Sequence, residues 1–387
     1  MYHKAIYKLH MSESKHHIAF FGLISQHPSR NQGGTAIRII NMANYFSQKE
    51  IHVDLITLHN KHQNPILEKL NSDIQLFPLQ NNKKALLFVK LYSYIIKQKP
   101  QTLIALDTRA SLIASWLTLF LKYARPKIII NICNSISKGN SKHKYSLQKR
   151  LRRIAKRTDT VITISKGLAD QFTEVTGLDK KNIHVIYNPV VKASLFEKGS
   201  REVSHPWINQ KNVPIILGIG RFTKQKDFPT LIKAFSIVRS YVQCKLIILG
   251  QGPDYYKLRK LTENLEINSD VDFPGFVENP YAFLSRASIF VSTSRWEGLS
   301  NVLIEALAFG IPTIATNCPE GPKEVLDNGK YGYLVPVGDE VAISKAILEH
   351  FNNPPSSEFI KHGSKQFNFD ACCESYLQVI LSNQKYP

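Results

Sequence analysis

The sequence predicts an α/β protein of two parallel-sheet domains, and three observations predict it. Its 387 residues are enough for two cores of ordinary size. Short apolar strands alternate with helical patterns along the whole chain, the order that gives parallel sheets covered by helices. The stretch NPVVKASLFEKGSREVSHPWINQKN (Asn188–Asn212) has little periodicity and reads as a linker between two such halves. The expected division is therefore residues 1–190, a linker at 191–212, a second domain at 213–368 and a last helical segment at 369–387.

In the first half the strands read as Ile18–Leu23, Val53–Leu58, Thr102–Leu106, Lys127–Ile132, Thr160–Ile164 and His184–Tyr187. The longest apolar stretch, SLIASWLTLFL from Ser111 to Leu121, is too short to span a bilayer and reads as a buried helix. Next comes KGNSKHKYSLQKRLRRIAKR, where Leu147, Leu151 and Ile154 recur at i, i+4 and i+7 among Lys149, Arg150, Arg152, Arg153, Lys156 and Arg157. That spacing gives an amphipathic helix with one apolar stripe and a basic face. The basic face has two readings, a solvated surface and a seat on anionic lipid. In the second half the strands read as Pro214–Ile219, Lys245–Leu249, Ile289–Val291, Thr313–Ala315 and Tyr333–Val335. Asp270–Asp272 read as a loop leading into a buried FPGF strand rather than as a metal-binding D-x-D.

Composition narrows the function classes. At 43% hydrophobic and 10% aromatic the chain is globular, not disordered. Cys133, Cys244, Cys318, Cys372 and Cys373 are odd in number and lack C-x-x-C spacing, which argues against a disulfide framework or zinc cluster and fits a reducing cytoplasm. The first seventeen residues are polar and basic, so no secretory signal is expected. A net charge of +20 implies an anionic partner. Nucleic acid is disfavoured, because no helix-turn-helix, RNP or zinc pattern appears and aromatics are not interleaved with the cations. A dinucleotide-dependent oxidoreductase is disfavoured too, since GIGRFT places Phe222–Thr223 where the third glycine of G-x-G-x-x-G belongs.

The segment EGLSNVLIE holds Glu297 and Glu305 eight positions apart across a loop-to-helix junction. Glu297 precedes the helix, and Glu305 lies about 6 Å further along its axis. The helix tip between them, at Gly298, Leu299, Ser300 and Asn301, offers N–H groups and a positive dipole end that suit a diphosphate. Carboxylates beside such an anion suit neutral hydroxyls, as on a sugar or ribose. The plain alternative is an ordinary helix with one capping and one solvated acid. Upstream, Gly218, Gly220, Arg221 and Lys226 follow a strand end, where glycine admits close approach and two cations can neutralise a diphosphate. Gly33–Gly34 sit between the first strand and its helix, a position where a pair of glycines opens the backbone to a ligand.

Together with LGQGP (Leu249–Pro253), PGFVENP (Pro274–Pro280), NQGGTAIRIINMANYF (Asn31–Phe46) and the run from Ser294 to Leu326, these motifs resemble retaining glycosyltransferases of family four. The resemblance implies the GT-B fold, two Rossmann-like domains facing across a cleft, with the C-terminal helix packing back on the first. It implies catalytic roles for Glu297, Arg221 and Lys226. Glu305 would hold ribose hydroxyls and Glu297 sugar hydroxyls. Gly33, Gly34, Gly220, Gly252, and the backbone near Phe276 and Val277 would line the donor pocket. The family's histidine after the fourth strand is replaced here by NICNS, where Asn134 matches the second member of an Arg-Asn variant and lies on the acceptor side. No metal or other cofactor is implied. CPEGPKEVL (Cys318–Leu326) resembles enzymes of bacterial surface-polysaccharide and lipopolysaccharide synthesis that use UDP-hexoses or UDP-N-acetylhexosamines. The implied acceptor is a lipid-linked oligosaccharide or lipopolysaccharide core, at the cytoplasmic face of an anionic membrane. The alternatives are a non-catalytic sugar-nucleotide-binding protein and a GDP-mannose-dependent mannosyltransferase.

Overall fold

The computed structural model describes residues 15–22, 34–60, 62–80, 83–121, 125–133, 136, 141–208 and 213–382. Two compact units result. The first takes residues 1–163, 169–185 and 375 onward, and the second takes 164–168 and 186–374.

The first unit is built on seven parallel strands: β1 (His17–Phe21), β2 (His52–Thr57), β3 (Gln75–Pro78), β4 (Thr102–Ala105), β5 (Lys127–Ile132), β6 (Thr160–Thr163) and β7 (Ile183–Val185). Their order is β3-β2-β1-β4-β5-β6-β7. The inner strands are apolar runs because both faces are covered. HIAFF of β1 is buried throughout. Its helices are α1 (Gly34–Ser47), α2 (Lys84–Gln98), α3 (Thr108–Leu117), α4 (Ser141–Ala155) and α5 (Lys166–Thr176). Leu87, Leu91, Ile113, Leu151 and Phe172 from these helices close over Phe21, Leu103, Ile128 and Ile130 of the sheet. The Asp107 carboxylate caps α3 by accepting from the N–H groups of Arg109 and Ala110, each at 2.9 Å.

The second unit has six parallel strands, β8 (Ile215–Ile219), β9 (Lys245–Leu249), β10 (Val271–Gly275), β11 (Ile289–Ser292), β12 (Thr313–Thr316) and β13 (Tyr333–Val335), in the order β10-β9-β8-β11-β12-β13. Its helices are α6 (Ala193–Gly199), α7 (Phe228–Arg239), α8 (Tyr255–Asn264), α9 (Pro280–Leu284), α10 (Asn301–Phe309), α11 (Pro322–Val325), α12 (Glu340–Asn352) and α13 (Ser357–His362), and α14 (Phe369–Leu381) follows. From Ser375 on, the chain groups with the first unit. There Asn131 Nδ2 donates to Tyr376 Oη at 2.6 Å, and Lys127 Nζ donates to the Val379 and Ser382 carbonyls at 2.6 and 2.8 Å. Both sheets are doubly wound and Rossmann-like. The strand order reverses between β1 and β4 in one and between β8 and β11 in the other, and ligands in such sheets bind beyond the carboxyl ends of the reversing strands.

Three segments differ from expectation. Strand β3 was not expected; it is an edge strand ending in Pro78, and edge strands tolerate the proline and polarity that hide them from pattern reading. The stretch read as a linker holds α6, which packs on α10 through the Phe196 and Phe309 rings, 5.6 Å apart. Gly199 is required at that contact, since a Cβ there would meet Phe309 Cε1 at 2.4 Å. The apolar stretch Ser111–Leu121 is buried only on one side. Ile113, Ala114, Leu117 and Leu121 face the core, whereas Trp116, Leu119 and Phe120 are 43%, 53% and 59% exposed.

Candidate functional site

The carboxyl ends of β8 and β11 carry the predicted residues. Beyond β8 the chain turns at Gly220, where a Cβ would meet the Lys226 stem at 3.0 Å. Gly250, at the end of β9, has φ +139°, and a Cβ there would lie 1.9 Å from the Gly220 carbonyl oxygen. Gly252 is also packed tightly, its Cβ position 2.4 Å from the Phe222 carbonyl oxygen. Side chains at these positions would push the two strand-end loops apart.

The loop after β8 and the loop after β11 are sewn together. Gln225 O accepts from the Arg295 N–H at 2.8 Å, and Gln225 Nε2 donates to the Trp296 carbonyl at 3.0 Å. Thr293 Oγ1 donates to the Lys226 carbonyl at 2.8 Å, and Arg295 Nη2 pairs with Asp227 Oδ2 at 2.8 Å. These bonds hold Lys226 against Glu297, with Nζ 2.6 Å from Oε1 and the two side chains 17% and 10% exposed. Ser294 Oγ donates to the same carboxylate oxygen at 2.7 Å. The loops thus join an ammonium and a carboxylate that are 71 residues apart in sequence.

Glu305 stands one turn inside α10, away from that pair. Its carboxylate accepts from the Tyr281 hydroxyl at 3.5 Å. Burial pushes its carboxyl up to about 7, partly offset by that hydrogen bond. The same carboxylate, followed by burial, raises the Tyr281 hydroxyl well above its ordinary range. At the tip of α10, Ser300 makes no side-chain cap and the first turn has no acid, so the helix end is electropositive. Asn301 Oδ1 accepts from Asn188 Nδ2 at 2.8 Å, which fixes the first residue of the helix. Leu299 is buried, and the Gly298 carbonyl lies 3.0 Å from where a Cβ on Gly321 (φ +58°) would stand.

The remaining predicted residues are less concentrated. Arg221 is exposed and reaches Gln225 Oε1 at 3.4 Å. Phe276 is exposed, while Val277 lines a cleft of about 320 Å³ with His205, Asn279 and Phe283. Gly34 opens α1; Gly33 and Asn134 lie outside the described residues. Asp270 pairs with Arg239 and Lys245, and Asp272 with His205, so these acids serve separate ion pairs. Sequence reading missed Ser294, Tyr281 and Asn188. Ser294 lay inside a quoted motif and Tyr281 directly follows PGFVENP, while Asn188 stands at the start of the stretch read as a linker.

Residues 201–367 match the family of glycosyl transferases group 1, and residues 32–193 match glycosyltransferase family 4. The chain belongs to these glycosyltransferases. The lipopolysaccharide core biosynthesis glycosyltransferase LpsE of Rhizobium meliloti is 28% identical over 230 residues, 58% of this chain and 65% of its own length. The N-acetylgalactosamine-N,N'-diacetylbacillosaminyl-diphospho-undecaprenol 4-alpha-N-acetylgalactosaminyltransferase of Campylobacter jejuni is 26% identical over 226 residues, 58% of this chain and 60% of that one. The chain thus spans at most 65% of the length of these two relatives. The crystal structure of Anabaena HepE in complex with UDP superposes with a TM-score of 0.78 at 17% identity, covering 94% of this chain and 99% of that one. The fold of this glycosyltransferase chain is GT-B, with a Rossmann-like sheet in each unit.

Proposed function

We propose that the protein transfers a hexose or N-acetylhexosamine from a nucleoside diphosphate sugar, a UDP-sugar, to a hydroxyl of a lipid-linked glycan in bacterial surface-polysaccharide synthesis. The observation that carries this reading is the Lys226–Glu297 pair at the β8/β11 reversal, beside an uncapped helix tip. Lys226, Arg221 and the α10 amides would bind the diphosphate. Glu305 would accept from the ribose hydroxyls and Glu297 from hydroxyls of the transferred sugar. The bond from C1 to the phosphate oxygen breaks as the acceptor oxygen bonds C1 on the same face. The acceptor proton passes to the departing phosphate oxygen, so the configuration is retained and no metal is needed. Positioning and charge stabilisation are the protein's contribution, and removing one such group costs about a hundred- to a thousandfold in rate. The relatives named above, one acting in lipopolysaccharide core synthesis and one on a diphospho-undecaprenol glycan, support the acceptor class.

The test is to incubate the purified full chain with UDP-glucose, UDP-galactose, their N-acetyl counterparts and GDP-mannose, and to follow release of nucleoside diphosphate. Release from UDP-sugars supports the reading. Release from GDP-mannose alone assigns a mannosyltransferase. Binding without release from any donor assigns a sugar-nucleotide-binding protein.

The first unit supports a membrane-facing role. Among the described residues no helix is long and apolar enough to cross a membrane. The outer side of α2 and α3 nevertheless exposes Leu86, Val89 and Ile96 beside Trp116, Leu119 and Phe120. Phe120 meets Phe88 edge-on at 5.3 Å, and Arg157 lies over the Trp116 ring at 5.7 Å, which joins this apolar patch to the basic helix α4. Lys149, Arg150, Arg152, Arg153 and Lys156 of that region are exposed, while Leu151 and Ile154 are buried. Apolar side chains rimmed by cations suit an anionic bilayer surface, with about 1 kcal/mol from each cation near it. Trp116→Ser combined with Phe120→Ser is expected to weaken binding to phosphatidylglycerol vesicles at least about tenfold in flotation, with donor turnover in solution unchanged. Equal flotation of variant and wild type would remove the patch from the reading.

A further inference from the structure

We propose that His17, His52 and Asp54 form a binding site for a divalent transition metal, fitted best to zinc, at the N-terminal edge of the first sheet. The strands place the three side chains together. β1 and β2 pair in parallel with His17 opposite His52 and Ala19 opposite Asp54, and His52 and Asp54, two apart, project to one face. His17 Nε2 lies 2.8 Å from Asp54 Oδ2, and His52 Nε2 lies 3.2 Å from Oδ1. The two imidazoles stack with centroids 4.1 Å apart and planes 6° from parallel. One donor atom from each residue lies within 4.8 Å of the other two. Tetrahedral zinc at its usual bond lengths holds ligand atoms about 3.3 Å apart, so the three donors are within reach of that spacing once the imidazoles turn out of their parallel stack to face one ion.

A buried carboxylate beside two imidazoles is a donor set that can attract a cation. Asp54 is fully buried, with His17 and His52 beside its carboxylate and the Tyr94 hydroxyl donating to it. A buried carboxylate needs a counter-charge. A divalent ion among the three donors would supply that counter-charge, since neutral imidazole nitrogen is a common metal ligand. Two nitrogens and one carboxylate oxygen form a donor set suited to zinc. The Tyr94 hydroxyl donates to Asp54 Oδ2, the kind of outer support that orients a ligating carboxylate. His52, with its side chain 37% exposed, gives solvent and ion a way in.

The site opens on the strand ends opposite to those that carry nucleotide-binding loops in such sheets, so the ion would clasp β1 to β2 rather than join the transfer reaction. The test uses the tag-free full chain, stripped with chelator and titrated with zinc chloride by calorimetry, then with cobalt(II) by visible absorption. The expected result is one zinc per chain, a tetrahedral cobalt band and a melting temperature that rises with zinc. All three should be lost in His52→Ala, a change at a half-exposed position that leaves the core intact. Tyr94→Phe should weaken zinc binding about tenfold. Equal zinc stoichiometry in wild type and His52→Ala, or no zinc uptake by folded wild type, would overturn the proposal.

Discussion

Lys226→Ala is expected to abolish sugar transfer and also to lower the free energy of unfolding by about 3 kcal/mol. The second effect follows from the pairing. Lys226 Nζ sits 2.6 Å from Glu297 Oε1 with both side chains largely buried, so removing the lysine leaves a largely buried carboxylate without its ammonium. Breaking a buried pair from one side costs about 3–5 kcal/mol, and the residual exposure here sets the lower end. Ser294, still donating at 2.7 Å, offsets part of that loss. The double variant Lys226→Met, Glu297→Gln removes both charges and keeps the Ser294 bond. It should recover most of the stability while remaining inactive, because the diphosphate still lacks its cation. Urea unfolding and donor turnover on the single and double variants separate the two roles. If Lys226→Ala turned over donor within about tenfold of wild type, the phosphate-binding assignment would fail, since loss of a charge-stabilising group costs more than that.

How much of this was legible in the sequence depended on how far apart the interacting groups lie. The inner strands were readable because parallel sheets bury both faces, so KIIINI and KLIIL stand out as apolar runs. The edge strand β3 was not, since QLFP has no fully buried residue and ends in proline. Glu297, Glu305 and the glycine turns were readable because their spacing is local to one loop and one helix. The Lys226–Glu297 pair was not, because 71 residues separate its members and only the β8–β11 adjacency joins them. Tyr281 was invisible for the same reason, its hydroxyl meeting Glu305 from a helix that carries no polar signature. Composition could not divide the Ser111–Leu121 stretch into its core side and its exposed side. Apolar content states that burial is possible, not which neighbour provides it.

Glu305→Gln is expected to raise stability at neutral and alkaline pH while it destroys donor binding. In the folded protein burial holds this carboxyl at about 7, against about 4.5 when unfolded. Between those values the folded chain keeps a proton that the unfolded chain has released, so stability falls as pH rises through that window and stays lower above about 7. The full penalty is at most about 3 kcal/mol, trimmed by the partial exposure of the side chain. Glutamine carries no charge to desolvate and its carbonyl still accepts from Tyr281, so variant and wild type should unfold alike near pH 4 and diverge as pH rises. Binding runs the other way. Ribose hydroxyls donate more strongly to the ionised carboxylate than to its acid form, so wild-type affinity for UDP should fall as pH drops below about 7, by at most about tenfold per unit, and binding should release a proton. Calorimetry in buffers of different ionisation enthalpy measures that proton directly. A variant that bound UDP as tightly as wild type, with no change in the pH dependence, would move the ribose contact away from Glu305 and leave its raised carboxyl a consequence of packing alone.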